Sequence, residues 1–134
     1  MATTDRLERL ITDEVGECRA SDVDDRLDDL RALEARASVA DGDESADLDA
    51  LSALRSDTRY RLARLLAAAD GDLCVCELEP LMDVSSSAVS HALSTLADAG
   101  LLSRRKEGKW RYYDATERAD AVLEALDATR GGDA

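Results

Sequence analysis

The sequence contains no phenylalanine and has only one proline, one tryptophan, one histidine and two lysines among its 134 residues. It has no apolar run near the roughly 20 residues that a membrane-spanning helix needs. Its N-terminus opens with charged residues, unlike the basic and then hydrophobic start of a secretion signal. We therefore expect a cytoplasmic protein without a membrane partner. Three cysteines without an export signal argue against a disulfide framework and favour reduced thiols.

Acidic side chains outnumber basic ones, but unevenly along the chain. The formal net charge is −13, and residues 1–50 hold 16 acidic and 6 basic side chains, against 14 and 11 in residues 51–134. Abundant aspartate with little lysine is typical of salt-adapted proteins, so we interpret the chain as halophilic. At molar salt the Debye length is about 3 Å, so the net charge does not exclude a nucleic-acid partner.

Helical periodicity separates an N-terminal extension from a single domain. Apolar residues recur at helical spacing in residues 3–15 and again in residues 23–37. The polar run Asp41–Ser45 is turn-like, and we interpret it as the hinge that follows the extension. We predict an acidic helical extension over 1–46 that takes part in dimerisation, a compact domain over 47–130 and a flexible tail over 131–134.

A helix, a tight turn and a second helix are predicted in the middle of the domain, over Cys74–Met82, Asp83–Ser85 and Ser86–Ala99. The wheel of the second helix separates an apolar face from a face of small polar groups. The apolar face comprises Val89, Ala92, Leu93 and Leu96. The predicted DNA-contacting residues of this helix are Ser86, Ser87, Ser90, His91 and Ser94. A helix with such a polar face fits the major groove of DNA.

A β-hairpin is predicted after this helix, with its turn at Gly108. Between positions 104 and 111 the chain carries five basic residues against one acidic residue, which suits a wing that reaches phosphates. The five are Arg104, Arg105, Lys106, Lys109 and Arg111. The predicted fold class is mainly α (α+β), a winged helix-turn-helix with a two-stranded β-wing, and the domain over 47–130 is predicted to bind DNA.

Five stretches of the domain occur in the order in which one known family carries them. They are Ala53–Arg59, Asp72–Leu78, Ser87–Leu93, Ala99–Leu102 and Gly108–Tyr113. On these stretches the segment from Ala53 to Thr116 resembles the ArsR family of metalloregulatory repressors. The resemblance implies a homodimer that represses a resistance operon and leaves its operator DNA when an inducer binds. Members with the Leu-Cys-Val-Cys-Glu-Leu box sense As(III), Sb(III), Cd(II) or Pb(II).

The cysteines are the candidate ligands for such an ion, because trivalent arsenic prefers thiolate sulfur and a three-sulfur shell needs three of them. On an ideal helix Cys74 and Cys76 would project roughly 200° apart, so chelation requires that the turn opens or begins irregularly. Cys18 is the third candidate, from its own or the partner subunit. Position 79, where one pattern of the family has a third cysteine, is Glu79.

Several other interpretations stay open or are disfavoured. The pair Cys74/Cys76 could be buried structural thiols, or the thiols of a redox-responsive repressor. Zinc-sensing relatives in the resembled family place a cluster of histidine and carboxylate ligands on the last helix. Zinc sensing is disfavoured here because residues 116–129 hold no imidazole. An enzyme is not expected, since a cysteine reductase carries an arginine about six residues after its cysteine, and Pro80 stands there. A protein-interaction module without DNA binding is disfavoured by the basic wing.

Overall fold

A computed structural model describes residues 4–131 of the chain, which folds into two compact units over Met1–Ala40 and Asp41–Ala134. The first unit pairs helix α1 (Asp5–Val15) with helix α2 (Ala20–Ala37), and neither helix has a buried residue. Apart from Gly131, the predicted tail over 131–134 lies outside the described residues. Within residues 4–131, no helix is both long and apolar enough to cross a bilayer.

Over the described residues 41–131, the second unit contains five helices and a small sheet. Its helices are α3 (Asp41–Leu54), α4 (Asp57–Ala68), α5 (Val75–Leu78), α6 (Ser86–Asp98) and α7 (Glu117–Thr129), with a 3-10 turn at Glu79–Leu81. Its strands are β1 (Leu73–Cys74), β2 (Leu102–Glu107) and β3 (Trp110–Ala115). The strand order is β1-β3-β2, and both pairings are antiparallel. The predicted winged helix-turn-helix fold is confirmed.

The predicted two-stranded wing is present as β2 and β3, and the sheet has a third strand, β1, at the place where the predicted helix over Cys74–Met82 needs correction. Leu73 pairs with Tyr113 and Cys74 with Tyr112, which adds a third strand to the sheet. The backbone of Cys74 is extended, with φ −74° and ψ 148°, and the helix begins only at Val75. A strand of two residues is too short to show the alternation by which strands are predicted.

The predicted hinge at Asp41–Ser45 is wrong, because these residues form the start of α3. Asp41, Asp43 and Glu44 lie in the first turn, where acidic side chains interact favourably with the helix dipole. The second compact unit accordingly begins at Asp41, six residues before the predicted domain. The predicted role of the extension in dimerisation stays a prediction.

The core lies under α6, whose predicted apolar face is confirmed. Val89, Leu93 and Leu96 are fully buried, in one cluster with residues of α4 and with Tyr113 of β3. Gly100, with φ +80°, ends the helix in a Schellman arrangement, in which its N–H donates to Ala97 and that of Leu101 to Leu96. The chain then turns directly into β2, so the wing is tied to the C-terminus of α6.

This packing predicts a large loss of stability for Leu93→Ala. Leu93 has no exposed surface, so truncation leaves a cavity and should lower the free energy of unfolding by about 2–5 kcal/mol. The matched control is Leu81→Ala, because Leu81 is 63% exposed, and a loss within about 0.5 kcal/mol is expected for it. Urea denaturation in concentrated KCl, followed by circular dichroism, measures both. Equal losses would contradict the described core.

Candidate metal centre and nucleic-acid interface

Cys74 and Cys76 lie side by side where β1 passes into α5. The thiol of Cys76 donates to the sulfur of Cys74, with 2.7 Å between the two Sγ atoms, and the Cys76 backbone N–H lies 3.3 Å from the same sulfur. Cys74 is the N-cap of α5 and Cys76 lies in its first turn. Of the two predicted routes to chelation, the structure shows the irregular helix start, so the helix need not unwind.

The pair suits a soft ion that approaches from solvent. Cys74 is buried, with 5% of its surface exposed, whereas Cys76 is exposed. Two thiolates at about 2.3 Å from one tetrahedral zinc ion lie about 3.7 Å apart. An ion of similar bond length must therefore insert between two sulfurs that are in direct contact. Two adjacent sulfur donors favour thiophilic ions over ions that prefer oxygen.

Protonation sets a condition on ion binding. The hydrogen bond to Cys74 contributes most to raising the pKa of the Cys76 thiol, and desolvation and the nearby charge of Glu77 raise it further. Glu77 also accepts a hydrogen bond from the backbone N–H of Cys74 at 2.8 Å, which holds this carboxylate beside the pair. Cys76 is therefore a protonated thiol at neutral pH, and an ion must displace its proton.

Cys18 lies between α1 and α2 in the first unit. It is half-buried, and its thiol donates to the carbonyl of Arg19 at 3.7 Å. Desolvation raises the pKa of Cys18, and the charges of Glu8 and Asp22 raise it further. Within residues 4–131, no group of three or more histidine, cysteine, aspartate or glutamate side chains is arranged to hold a metal ion. The participation of Cys18 stays a prediction.

The polar face of α6 is directed to solvent, as the wheel predicted. Ser85 caps this helix, and its hydroxyl accepts from the N–H of Ala88 at 3.1 Å. Four of the five residues predicted to contact DNA are exposed, and Ser94 is half-buried. The exposed four are Ser86, Ser87, Ser90 and His91. The face is therefore free to enter a groove, and contact with DNA stays a prediction.

The wing carries all five predicted basic residues on exposed positions of β2, β3 and the turn between them. Gly108, with φ +63°, begins that two-residue turn, where a positive φ suits glycine. Four of the cations border one shallow cleft: Arg104, Arg105, Lys106 and Arg111. The Lys109 ammonium lies 5.3 Å from the ring centre of Trp110. This surface suits an anion such as a phosphate.

Two of the wing arginines already have carboxylate partners. Arg104 pairs with Asp98 at 3.0 Å, and Arg105 pairs with Asp72 at 3.1 Å and with Glu107 at 2.9 Å. The sequence pattern does not predict these acidic partners. The pairing of Arg105 with Asp72 depends on β1, which the sequence pattern does not reveal, so no local signal indicates it.

Removing the Cys74 thiol should make Cys76 react faster with iodoacetamide. The hydrogen bond between the two sulfurs contributes most to raising the pKa of Cys76, so Cys74→Ala should lower that pKa and increase the thiolate fraction at neutral pH. In a Cys18→Ala background, site-resolved mass spectrometry should show severalfold faster alkylation and a pH profile shifted to lower pH. The control is Cys18→Ala alone. An unchanged profile would show that the sulfur contact does not govern this thiol.

Comparison with known proteins places these features in a family. A proposed arsenical resistance operon repressor, ArsR, of Halobacterium salinarum is 51% identical over 130 residues, which cover 97% of this chain and 99% of that protein. A cadmium resistance regulatory protein CadC homologue of Staphylococcus aureus is 41% identical over 46% of this chain and 50% of its own length. A crystal structure of a possible transcriptional regulator for arsenical resistance superposes with a TM-score of 0.51 at 37% identity, covering 60% of this chain and 82% of that one.

A sequence profile described as "Bacterial regulatory protein, arsR family" matches residues 56–104, from the N-cap of α4 to the first half of β2. This span includes the cysteine pair and the helix-turn-helix. Together with the near full-length similarity to the Halobacterium salinarum protein, the match confirms the predicted resemblance of the segment from Ala53 to Thr116 to the ArsR family. The chain belongs to the ArsR family of transcriptional regulators.

Proposed function

We propose that this chain represses an arsenical resistance operon as a homodimer and is released from its operator when a thiophilic ion binds its cysteines. The observation that carries the proposal is the close pair of sulfurs of Cys74 and Cys76 directly before the DNA-facing helix. The near full-length similarity to the Halobacterium salinarum protein supports an arsenical resistance operon as the target of repression. The proposed DNA contacts are the polar face of α6 and the five basic residues of the wing.

Trivalent arsenic is the favoured inducer because its chemistry fits protonated thiols. Each arsenic–sulfur bond forms as a hydroxyl group of As(OH)₃ leaves with the thiol proton as water, so neutral thiols react without net release of protons. Cys74 and Cys76 would supply two sulfurs, and Cys18 of either subunit would complete a three-sulfur shell. Antimonite follows the same chemistry, and the similarity to a cadmium resistance regulator supports Cd(II) as a further ion.

Release would begin at the junction of β1 and α5. The ion would insert between the two sulfurs, and Cys74 cannot move outward without disturbing β1, in which it is buried. Helix α5 and the 3-10 turn lead into α6, and α5 packs against α6. A displacement of α5 is therefore transmitted to the DNA-facing helix by direct packing.

A redox-responsive repressor is the second candidate, and the contact between the sulfurs favours it specifically. At 2.7 Å the two thiols are close enough to form a disulfide after modest rotation of their side chains. An oxidant such as a peroxide would take two electrons from the pair and leave with the two protons as water. Disulfide formation would disturb the same junction as ion binding.

A dimer interface on α3 is proposed from its exposed leucines. Leu48 and Leu51 are 58% and 62% exposed, while the alanines Ala50 and Ala53 on the same helix are buried. On α7, Leu126 is 45% exposed. A monomer would leave these large apolar groups in water, and their burial between two copies would stabilise a dimer. The extension would add its own helices to this assembly.

Operator release tests the proposed function and the site together. In concentrated KCl, with an operator selected from random duplex DNA by the wild-type protein, arsenite, antimonite or cadmium should weaken binding by a factor of about 5–150. Cys74→Ser and Cys76→Ser should bind the operator and ignore the ions, and Cys18→Ser shows whether a third sulfur is needed. Release by peroxide but by no ion would select the redox alternative. A wild-type protein that binds no DNA would refute both.

Sedimentation tests the dimer. Wild type should sediment as a dimer at micromolar concentration, and Leu48→Asp/Leu51→Asp should sediment as a monomer, because two carboxylates would face each other across the interface. Leu81→Asp is the matched control, since Leu81 is equally exposed but lies on the 3-10 turn, and it should remain a dimer. Monomeric wild type, or an equal effect of the control, would exclude this interface.

A further inference from the structure

Arg105 of the wing is fixed from three sides. Its Nε donates to Asp72 Oδ2 at 3.1 Å, and a second guanidinium nitrogen lies 3.1 Å from the same oxygen. A third nitrogen donates to Glu107 Oε2 at 2.9 Å. The guanidinium also stacks over the ring of Tyr112, 4.4 Å from the ring centre. These contacts set the direction in which Arg105 presents its charge.

Asp72 joins this cluster to the cysteine pair through the backbone. It directly precedes β1, so only Leu73 lies between it and Cys74. Glu107, in contrast, lies on β2, the same strand as Arg105. Of these two carboxylates, the one at Asp72 therefore moves with the cysteine segment and the one at Glu107 moves with the wing.

The sheet register gives a second connection. Cys74 is opposite Tyr112, and Tyr112 is opposite Arg105. Directly opposed residues of neighbouring antiparallel strands project from the same face of the sheet. Cys74, Tyr112 and Arg105 therefore form one row across the three strands.

We propose that Asp72 is a positioning residue that couples the Cys74–Cys76 pair to Arg105 of the wing. The inference rests on the proposed function, because it adds a second route, beside the packing of α5 on α6, by which ion binding reaches the DNA-binding surface. When an ion inserts between the two sulfurs, the buried Cys74 displaces a strand of only two residues, and Asp72 shifts with it. Arg105 then loses one of its three supports and its fixed direction. Small shifts at an effector site are amplified when they break such discrete contacts.

Matched substitutions separate this route from a simple change of charge. Asp72→Asn and Glu107→Gln each remove one negative charge beside Arg105, but only the first lies on the cysteine segment. Operator affinity is measured in concentrated KCl, first without cadmium or arsenite and then with one of them added. Asp72→Asn should reduce the effect of the ion on operator affinity about 2- to 30-fold. Glu107→Gln should leave that effect unchanged, and Asp72→Glu, which restores a carboxylate, should recover it.

Ion affinity in the absence of DNA distinguishes lost coupling from a lost site. Cadmium binding, followed by the absorption of the thiolate–metal bond, should be the same in wild type, Asp72→Asn and Glu107→Gln. A wild type that ignores both ions would refute the proposed function. A wild type that responds, beside an Asp72→Asn variant that responds equally, would overturn this inference alone.

A third measurement needs no ion. In the ion-free protein, Asp72→Asn and Arg105→Ala should be non-additive in operator affinity, because the first acts through the second. Asp72→Asn and Lys106→Ala should be additive, which makes Lys106 the matched control on the same strand. Additive effects at positions 72 and 105 would overturn the assignment of Asp72 as the residue that positions Arg105.

Discussion

The antiparallel pairing of Leu73 and Cys74 with β3 is the constraint on which the functional geometry depends. It keeps the backbone of Cys74 extended, so that Cys74 caps α5 instead of lying within it. Inside a continuous helix, residues two apart would project roughly 200° from each other and their sulfurs would diverge. The cap brings the sulfurs to 2.7 Å instead. Asp72 directly precedes the same two-residue strand, so one pairing positions both the two sulfurs and the carboxylate that contacts Arg105.

Helix α6 and the hairpin of β2 and β3 could be predicted from the sequence because each has a strong local signal. The apolar face of α6 follows the helical period and Gly100 marks its end, while the hairpin has a glycine at its turn between two strands. The cysteine box gave the chemistry of the ligands but not their arrangement, since that arrangement depends on Tyr112, nearly forty residues further along the chain. Contacts between residues so distant in sequence leave no periodic pattern.

The start of α3 shows where composition misleads. Asp41–Ser45 has the residue types of a turn, yet acidic side chains also favour the first turn of a helix. The burial along this helix is equally unexpected, since Ala50 and Ala53 pack into the core while Leu48 and Leu51 stay exposed. Hydrophobicity alone would assign the leucines to the core. Small side chains allow α3 to approach its neighbours closely. The two leucines stay exposed, where the proposed dimer interface would bury them.

The acidic balance of the chain limits how the wing can hold DNA. At molar salt the Debye length is about 3 Å, so only groups in contact affect each other strongly. Arg104 and Arg105 are already paired with carboxylates, and exposed ion pairs of this kind contribute little to folding stability. In the proposed contact with DNA, a phosphate must compete at these arginines with a carboxylate that is already in place.

The ion pairs fix the orientation of the arginine guanidinium groups. An arginine donates through a rigid planar fork, so a guanidinium held in one orientation can bind a phosphate or a base edge without further loss of side-chain freedom. A surface whose net charge is low must rely on such orientation for its affinity. It follows that a regulator of this kind is switched more effectively by turning an arginine than by changing the charge around it.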